Sequence, residues 1–242
     1  MNKYVCITGG TKGIGKAVAI CLAQSGYSLL LTYGSDQASA EKTRQELEEG
    51  YDVKVLTLKA DSTDRASIEV VGQFLEVNDI LLDAMVFNAG ITCRDPFEEM
   101  SLEEWERVFF ANVHYPVFLL QRIVGRIRKG GSVVFTGSLM GVHPHSVSLV
   151  YGTTKSAVHA LVRNLVKHLT PYDIRVNGVA PGFVDTEWQK TKPAEIRRNI
   201  ENKISLNRFC EPGELAEVYK MLIENNYLNG EVIVVDGGYS YK

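Results

Sequence analysis

Short apolar runs alternate along this chain with longer stretches in which apolar residues recur every three or four positions. The runs "KYVCIT", "SLLLTY", "VKVLTLKA", "DAMVFNAG", "GSVVFTGS", "IRVNGVAPG" and "EVIVVDGG" have the length and β-branched content of strands. Between them, the 3.6-residue period predicts helices over Ile14–Gln24, Ala38–Glu49, Ala66–Glu76, Leu102–Arg128, Tyr151–Leu169 and Glu214–Glu224. The long helix 102–128 is expected to bend near Pro116. Strands that are apolar almost throughout, each followed by a helix, predict a mostly parallel sheet with helices on both faces. No linker or repeat divides the 242 residues, so the expected architecture is one doubly wound α/β domain of seven strands over 1–242.

Composition changes this picture little but excludes much. With 45% hydrophobic and 23% charged residues the chain is an ordinary globular one, and its net charge of −3 points to neither nucleic acid nor an anionic membrane surface. No apolar run reaches the ~18 residues of a membrane span, and none resembles a signal peptide behind Met1. Cys6, Cys21, Cys93 and Cys210 are scattered and match no metal spacing, so free, mostly buried thiols in a cytoplasmic protein are expected, with no metal. The basic cluster Arg126–Lys129 reads as cations at the end of the long helix.

Chemistry gathers where the predicted strands end. "ITGGTKGIG" leaves the first strand through Gly9, Gly13 and Gly15. Glycine lets backbone approach a ligand closely, and the helix behind it offers unpaired N–H groups to a pyrophosphate. A purely structural turn would show the same glycines; the position after the first strand of an alternating chain favours a dinucleotide. No Lys-Ser/Thr follows the last glycine, so the turn is not a P-loop. NAD-selective sites carry a carboxylate at the end of the second strand. Here that place reads Thr32-Tyr33-Gly34-Ser35, with Asp36 too far into the loop, while Lys12 offers positive charge to a 2′-phosphate. Both features favour NADP(H) over NAD(H).

Tyr151 and Lys155 stand four apart in "LVYGTTKSAV" and share a helix face. An ammonium beside a phenol favours the phenolate, so the spacing predicts a lowered tyrosine pKa and a general acid for a developing alkoxide. Two unrelated helix residues would give the same spacing. Thirteen residues earlier, Ser138 ends the fifth strand and points a hydroxyl toward the expected cleft, unless it serves only the turn.

Taken in order, these motifs resemble the short-chain dehydrogenase/reductase family over essentially the whole chain. "TGGTKGIG" resembles its cofactor turn, "NAG" at Asn88–Gly90 its motif after the fourth strand, and "PGFVDT" at Pro181–Thr186 the segment that meets the nicotinamide. The resemblance implies a Rossmann fold, with Asn112, Ser138, Tyr151 and Lys155 as catalytic residues. Tyr151 would pass the proton and Ser138 would hold the substrate oxygen. Lys155 would bind the nicotinamide ribose, and Asn112 would hold a water linking Lys155 to solvent. It implies a cofactor lined by Gly9, Thr11, Lys12, Gly13, Ile14 and Gly15 of the turn, by Tyr33, by Asp61 and Ser62 near the adenine, and by Asn88, Ala89 and Gly90. Tyr151, Lys155, Pro181, Gly182, Val184 and Thr186 complete that set.

Within the family, "TGGTKGIG", "APGFVDT" and the ending "VDGGY" look most like the 3-oxoacyl-[acyl-carrier-protein] reductases. That resemblance implies reduction of a 3-oxoacyl thioester, a substrate lid over about 187–210, and a homotetramer or homodimer. Helices 102–128 and 151–169 would pack between subunits, with His159, Val162 and Val166 at helical spacing there. Arg128 and Lys129 match one acyl-carrier docking site; the second reads Pro171-Tyr172-Asp173 and is not basic. His143 and His145 lie near the pocket mouth. A sugar, polyol or steroid alcohol dehydrogenase is the neighbouring expectation. A non-catalytic NADP-binding sensor is the expectation from another class.

Overall fold

Alternation along the strands decides the layering. In the computed structural model, which describes residues 3–144 and 148–242, seven strands form one sheet. They are β1 (Tyr4–Ile7), β2 (Ser28–Tyr33), β3 (Val55–Lys59), β4 (Leu82–Phe87), β5 (Ile127–Thr136), β6 (Arg175–Pro181) and β7 (Val232–Val235). Val5, Ile7, Leu29, Leu31, Val86 and Val134 face one apolar layer. Their neighbours Cys6, Leu30, Met85, Phe87, Val133 and Phe135 face the other. A strand buried on both faces needs helices above and below it, which is why these runs read as apolar throughout.

The first layer is closed by α1 (Gly13–Gln24), α2 (Gln37–Gly50) and α9 (Pro212–Glu224). The second is closed by α3 (Ala66–Val77), α5 (Tyr115–Ile123) and α6 (Leu149–Leu169). Every pair of neighbouring strands runs parallel, in the order β3-β2-β1-β4-β5-β6-β7. The chain crosses back from β3 to lay β4 beside β1, so the order reverses there. A crevice opens at such a reversal, beyond the carboxyl ends of the strands. The expected doubly wound Rossmann fold is present.

The predicted helix 102–128 is not continuous. It divides into α4 (Leu102–Phe109), a wide π turn at Phe110–His114, and α5, and the chain is already in β5 at Ile127. Pro116 has no N–H to give the carbonyl of Asn112, so the ladder fails one turn before the proline, and the helix widens there. The basic cluster therefore straddles the start of a strand, not a helix end: Arg126 pairs with Asp79 at 3.1 Å and Arg128 with Asp83 at 3.6 Å.

A second expectation fails on burial. His159 and Val162 are buried within the chain itself, so neither is open to a partner subunit, while Val166 is half-buried beside them. Cys6, Cys21 and Cys93 are buried free thiols and Cys210 is half-buried. Among the described residues no helix is long and apolar enough to cross a membrane, and no cluster of metal-ligating side chains occurs.

Candidate active site

The turn after β1 is held open by what surrounds it. Gly9 and Gly13 have φ of +62° and +52°, a left-handed backbone that suits glycine. A Cβ on Gly15 would sit 2.3 Å from the carbonyl oxygen of Gly9, so only a glycine lets the first turn of α1 close on the loop. Lys12 occupies the N-cap without a side-chain cap, leaving the leading N–H groups of α1 aimed into the crevice. Thr8 ties this turn to the neighbouring strand: its hydroxyl accepts the N–H groups of Asn88 and Ala89, both at 3.0 Å. Asn88 returns two donations, to the carbonyls of Thr8 and Gly9. A Cβ on Gly90 would lie 3.1 Å from Asn112 Oδ1 and 3.5 Å from Lys155 Nζ.

On the other side of the turn, the Thr11 carbonyl accepts the Thr43 hydroxyl at 3.0 Å. Asp61 stands against Gly34, beside Tyr33 and the half-turn holding buried Ser62, and accepts both the N–H and the hydroxyl of Thr63 at 2.8 Å. Asp36 is closer to the turn than its sequence position predicts. It caps α2 by accepting Ser39 N at 3.0 Å, and it forms an ion pair with Lys12. The Lys12 ammonium, joined by the Ser39 bonds, holds the Asp36 carboxyl down at about 2. Lys12 thus carries its charge to the expected 2′-phosphate position already matched by a carboxylate.

Ser138 lies two residues beyond β5 and caps the turn Leu139–Gly141, its hydroxyl accepting Met140 N at 3.1 Å. The N-cap of α6 is Ser148, whose side chain accepts Tyr151 N at 3.3 Å and so sets the first turn on which Tyr151 stands. Lys155, only 4% exposed, donates from Nζ to the carbonyl of Thr136 at 2.7 Å and lies 5.4 Å from the Tyr151 ring centroid. Asn112, in the π turn, accepts Ile91 N and donates to Ile91 O, both at 2.9 Å, and donates to Thr154 Oγ1 at 3.0 Å. Its amide is consumed in joining three segments around Lys155.

Burial sets the protonation states. It brings the Lys155 ammonium down to about 8. It pushes the Tyr151 phenol up, with the hydrogen bond from Ser138 pulling the other way. The lowering that the Lys155 spacing predicts is therefore overturned: the lysine nitrogen is directed at a carbonyl, and desolvation of the phenol dominates. A phenol raised in this way stays protonated at neutral pH, as a proton donor must.

Sequence reasoning missed His159 as a site residue. It lies four residues beyond Lys155 on the same face, and its Nε2 accepts the N–H of Ser138 at 3.3 Å. Ideal Cβ atoms on Gly137 and Gly141 would fall 2.1 and 2.8 Å from its ring, so these two glycines exist to admit it. Burial, with Lys155 and Arg163 nearby, lowers its pKa to about 4. The signal was present as the i, i+4, i+8 row Tyr151, Lys155, His159.

Ser138 and Tyr151 open on a cavity of about 460 Å³. Ile14 of the glycine turn lines it, as do Pro181, Gly182, Val184 and Thr186 beyond β6. A Cβ on Gly13 would be 3.6 Å from Thr186, which closes the ring of expected cofactor residues. The far wall is the segment that includes α7 (Glu187–Lys190) and α8 (Ala194–Glu201). Its two ends meet where Asp185 N donates to Cys210 O at 2.8 Å and Cys210 N to Phe183 O at 2.9 Å. His143 lines the cavity; His145 lies outside the described residues.

Comparison with known proteins agrees with this geometry. A family model described as enoyl-(acyl carrier protein) reductase matches residues 9–240. The 3-oxoacyl-[acyl-carrier-protein] reductase FabG of Aquifex aeolicus is 32% identical over 98% of this chain and 97% of its own. The short-chain dehydrogenase/reductase of Serratia marcescens superposes with a TM-score of 0.91 at 30% identity, covering 98% of each chain. The L-sorbose reductase of Gluconobacter frateurii, solved with NADPH and L-sorbose, gives a TM-score of 0.92 at 25% identity over 100% of this chain and 97% of its own. With the glycine turn, serine, tyrosine and lysine in place around one crevice, this chain belongs to the short-chain dehydrogenase/reductase family of oxidoreductases.

Proposed function

We propose that the protein is an NADPH-dependent carbonyl reductase whose leading substrate is a 3-oxoacyl thioester. The observation that carries this reading is Ser138, Tyr151 and Lys155 set together beside a cavity that also reaches the glycine turn. The residues present fit a dinucleotide: Gly9 and Gly13 give the turn its left-handed backbone, and the uncapped start of α1 presents N–H groups to a pyrophosphate. Gly9, Thr11, Gly13 and Ile14 would hold the pyrophosphate. Tyr33, Asp61 and Ser62 would hold the adenosine, Asn88, Ala89 and Gly90 the ribose side, and Pro181, Gly182, Val184 and Thr186 the nicotinamide. When bound, NADP(H) supplies the hydride.

The chain supplies position and a proton. Ser138 hydrogen-bonds the carbonyl oxygen, and Tyr151 gives that oxygen its phenolic proton as negative charge develops. Lys155 holds the cofactor ribose and, as an ammonium, favours the phenolate left behind. Asn112 fixes the wall around Lys155, and its main-chain carbonyl, spared by Pro116, is the group on which a water could be held. The 187–210 segment serves as the lid. A homotetramer or homodimer and an acyl-carrier partner follow from the resemblance to FabG; Arg128 and Lys129 lie at the opposite end of β5 from Ser138, so docking there would need a neighbouring subunit's site.

Tyr151→Phe tests the reading. NADPH oxidation with acetoacetyl thioester should fall at least about a hundredfold, the usual scale of general acid catalysis, while NADPH binding persists. A variant that keeps its turnover would remove the tyrosine from the chemistry; a protein that binds NADPH but reduces nothing would point to the sensor. A sugar or polyol reductase is the second reading, on the likeness to L-sorbose reductase. A panel of thioesters, ketoses and steroid ketones separates it. Lys12→Ala should weaken NADPH more than NADH, and equal losses would refute the NADP preference.

A further inference from the structure

Ser138 stands just past the edge of the sheet, and its main chain needs a partner there. The ladder between β5 and β6 closes with Gly137, whose N–H reaches Val179 O at 2.7 Å. One residue on, the chain leaves the sheet and the Ser138 N–H has no strand to meet. Ser138 is buried, and a buried N–H without a partner is costly. The acceptor that takes it is Nε2 of His159 on α6, at 3.3 Å. The other polar groups of Ser138 are met within its own turn. Gly141 N donates to its carbonyl at 2.9 Å and Met140 N to its hydroxyl oxygen at 3.1 Å. The hydroxyl hydrogen is left over, and it is turned toward Tyr151.

His159 is itself closely held. With Nε2 accepting, the ring proton sits on Nδ1, and the ring also hydrogen-bonds the backbone of Gly141. Ser156, on the same helix, donates to the Gly141 carbonyl at 3.0 Å. α6 therefore grips both ends of the turn from Ser138 to Gly141. The same helix carries Tyr151, and Lys155 between them holds the Thr136 carbonyl. The separation of Ser138 from Tyr151 is thus set through one rigid helix rather than through the stretch of chain that joins them. His159 does not line the cavity, so whatever it does for a ligand there it does through Ser138.

We infer that His159 is a positioning residue for the reaction proposed above: by accepting the Ser138 N–H it fixes the serine relative to Tyr151, so that both hydroxyls meet one substrate oxygen. This role rests on that reading for its chemistry, while the contact itself is measurable without turnover. Two donors that must converge on one oxygen are sensitive to small displacements.

Two substitutions separate placement from packing. His159→Gln keeps an acceptor oxygen at the reach of Nε2, and His159→Leu fills the space and offers none. With NADPH and acetoacetyl thioester, His159→Leu should lower kcat about tenfold to a hundredfold, the upper figure being the scale of a misplacement of about 1 Å, while His159→Gln stays within about threefold of wild type. NADPH binding should be the same in all three proteins. The double variant Ser138→Ala/His159→Leu should be no slower than Ser138→Ala alone, because the histidine has nothing left to place. A residue that only supports the fold would multiply its loss onto that of Ser138→Ala; that result overturns the inference, as does an equal loss in the Gln and Leu variants. Hydrogen exchange of the Ser138 amide in ligand-free protein reads the contact directly. It should be about tenfold or more faster in His159→Leu than in His159→Gln, and equal rates overturn the inference. Where His159→Leu does not fold, His159→Asn, whose oxygen stops short of the Nε2 position, takes its place in both comparisons. Failure of the reductase reading shows separately, as wild-type protein that oxidises no NADPH with any carbonyl; the exchange rates then decide alone whether His159 places Ser138.

Discussion

Acidification should weaken the fold through one histidine. His159 titrates at about 4 in the folded protein against an ordinary 6.5, because it is buried beside Lys155 and Arg163. The unfolded chain takes up a proton near pH 6.5 while the folded one resists until about 4. The stabilising contribution is therefore complete above 6.5 and is lost as pH falls toward 4. A difference of this size corresponds to about 3 kcal/mol, most of which is lost by pH 4.5. The cause is local: a protonated ring cannot accept the Ser138 N–H that now donates to Nε2. Urea unfolding of the wild type and of His159→Gln from pH 7.5 to 4.5 isolates this contribution, since carboxylates elsewhere titrate alike in both. The wild type should lose about 2 kcal/mol more than the variant over that range, at unchanged m-values. Parallel curves would show that His159 is not held neutral by its surroundings.

Three further outcomes follow from the same contacts. Lys155→Met should abolish reduction yet leave the ligand-free protein as stable as the wild type or up to about 2 kcal/mol more so, because the buried ammonium costs more than its bond to Thr136 returns; a calorimetric melt reads it. Gly141→Ala should cost about 2–3 kcal/mol, since its Cβ would meet the Lys155 backbone at 2.7 Å, whereas Gly213→Ala, with open space around it, should be neutral or mildly stabilising; denaturant titration separates them. Asp36→Asn keeps the cap on α2 but releases Lys12, so NADPH affinity measured by fluorescence should rise severalfold while NADH affinity stays level.

The strands, their parallel order and the glycine turn were legible because both faces of the sheet are buried, and burial writes itself as uninterrupted apolar runs. Ser138, Tyr151 and Lys155 were legible because a short spacing on a helix or strand end fixes where a side chain goes. Other features depend on contacts between distant segments and leave no local trace. The π turn at 110–114 looks like continuous helix until Pro116 is read backward to the carbonyl it cannot serve. His159 looked like a surface residue because helical period gives the face but not what covers it. Asp36 was set aside by its distance along the chain, and the cap it makes on α2 turns it back toward Lys12. The sign of the Tyr151 shift was misjudged for the same reason: spacing reveals the neighbouring charge but not the depth of burial.

The lysine at the centre of the site leans on the main-chain oxygen of Thr136, while the side chain of that threonine is occupied elsewhere, sharing a hydrogen bond of 2.8 Å with the Tyr219 hydroxyl. Every amino acid carries that oxygen. Position 136 is therefore free to drift in the course of evolution without disturbing Lys155, provided β5 keeps its path and Tyr219 finds or forgoes a partner. A comparison of many sequences would record no covariation between 136 and 155, although the two touch. Here the heritable instruction that aims the lysine is spread over the strand as a whole, and it would be invisible to any method that looks for it one letter at a time.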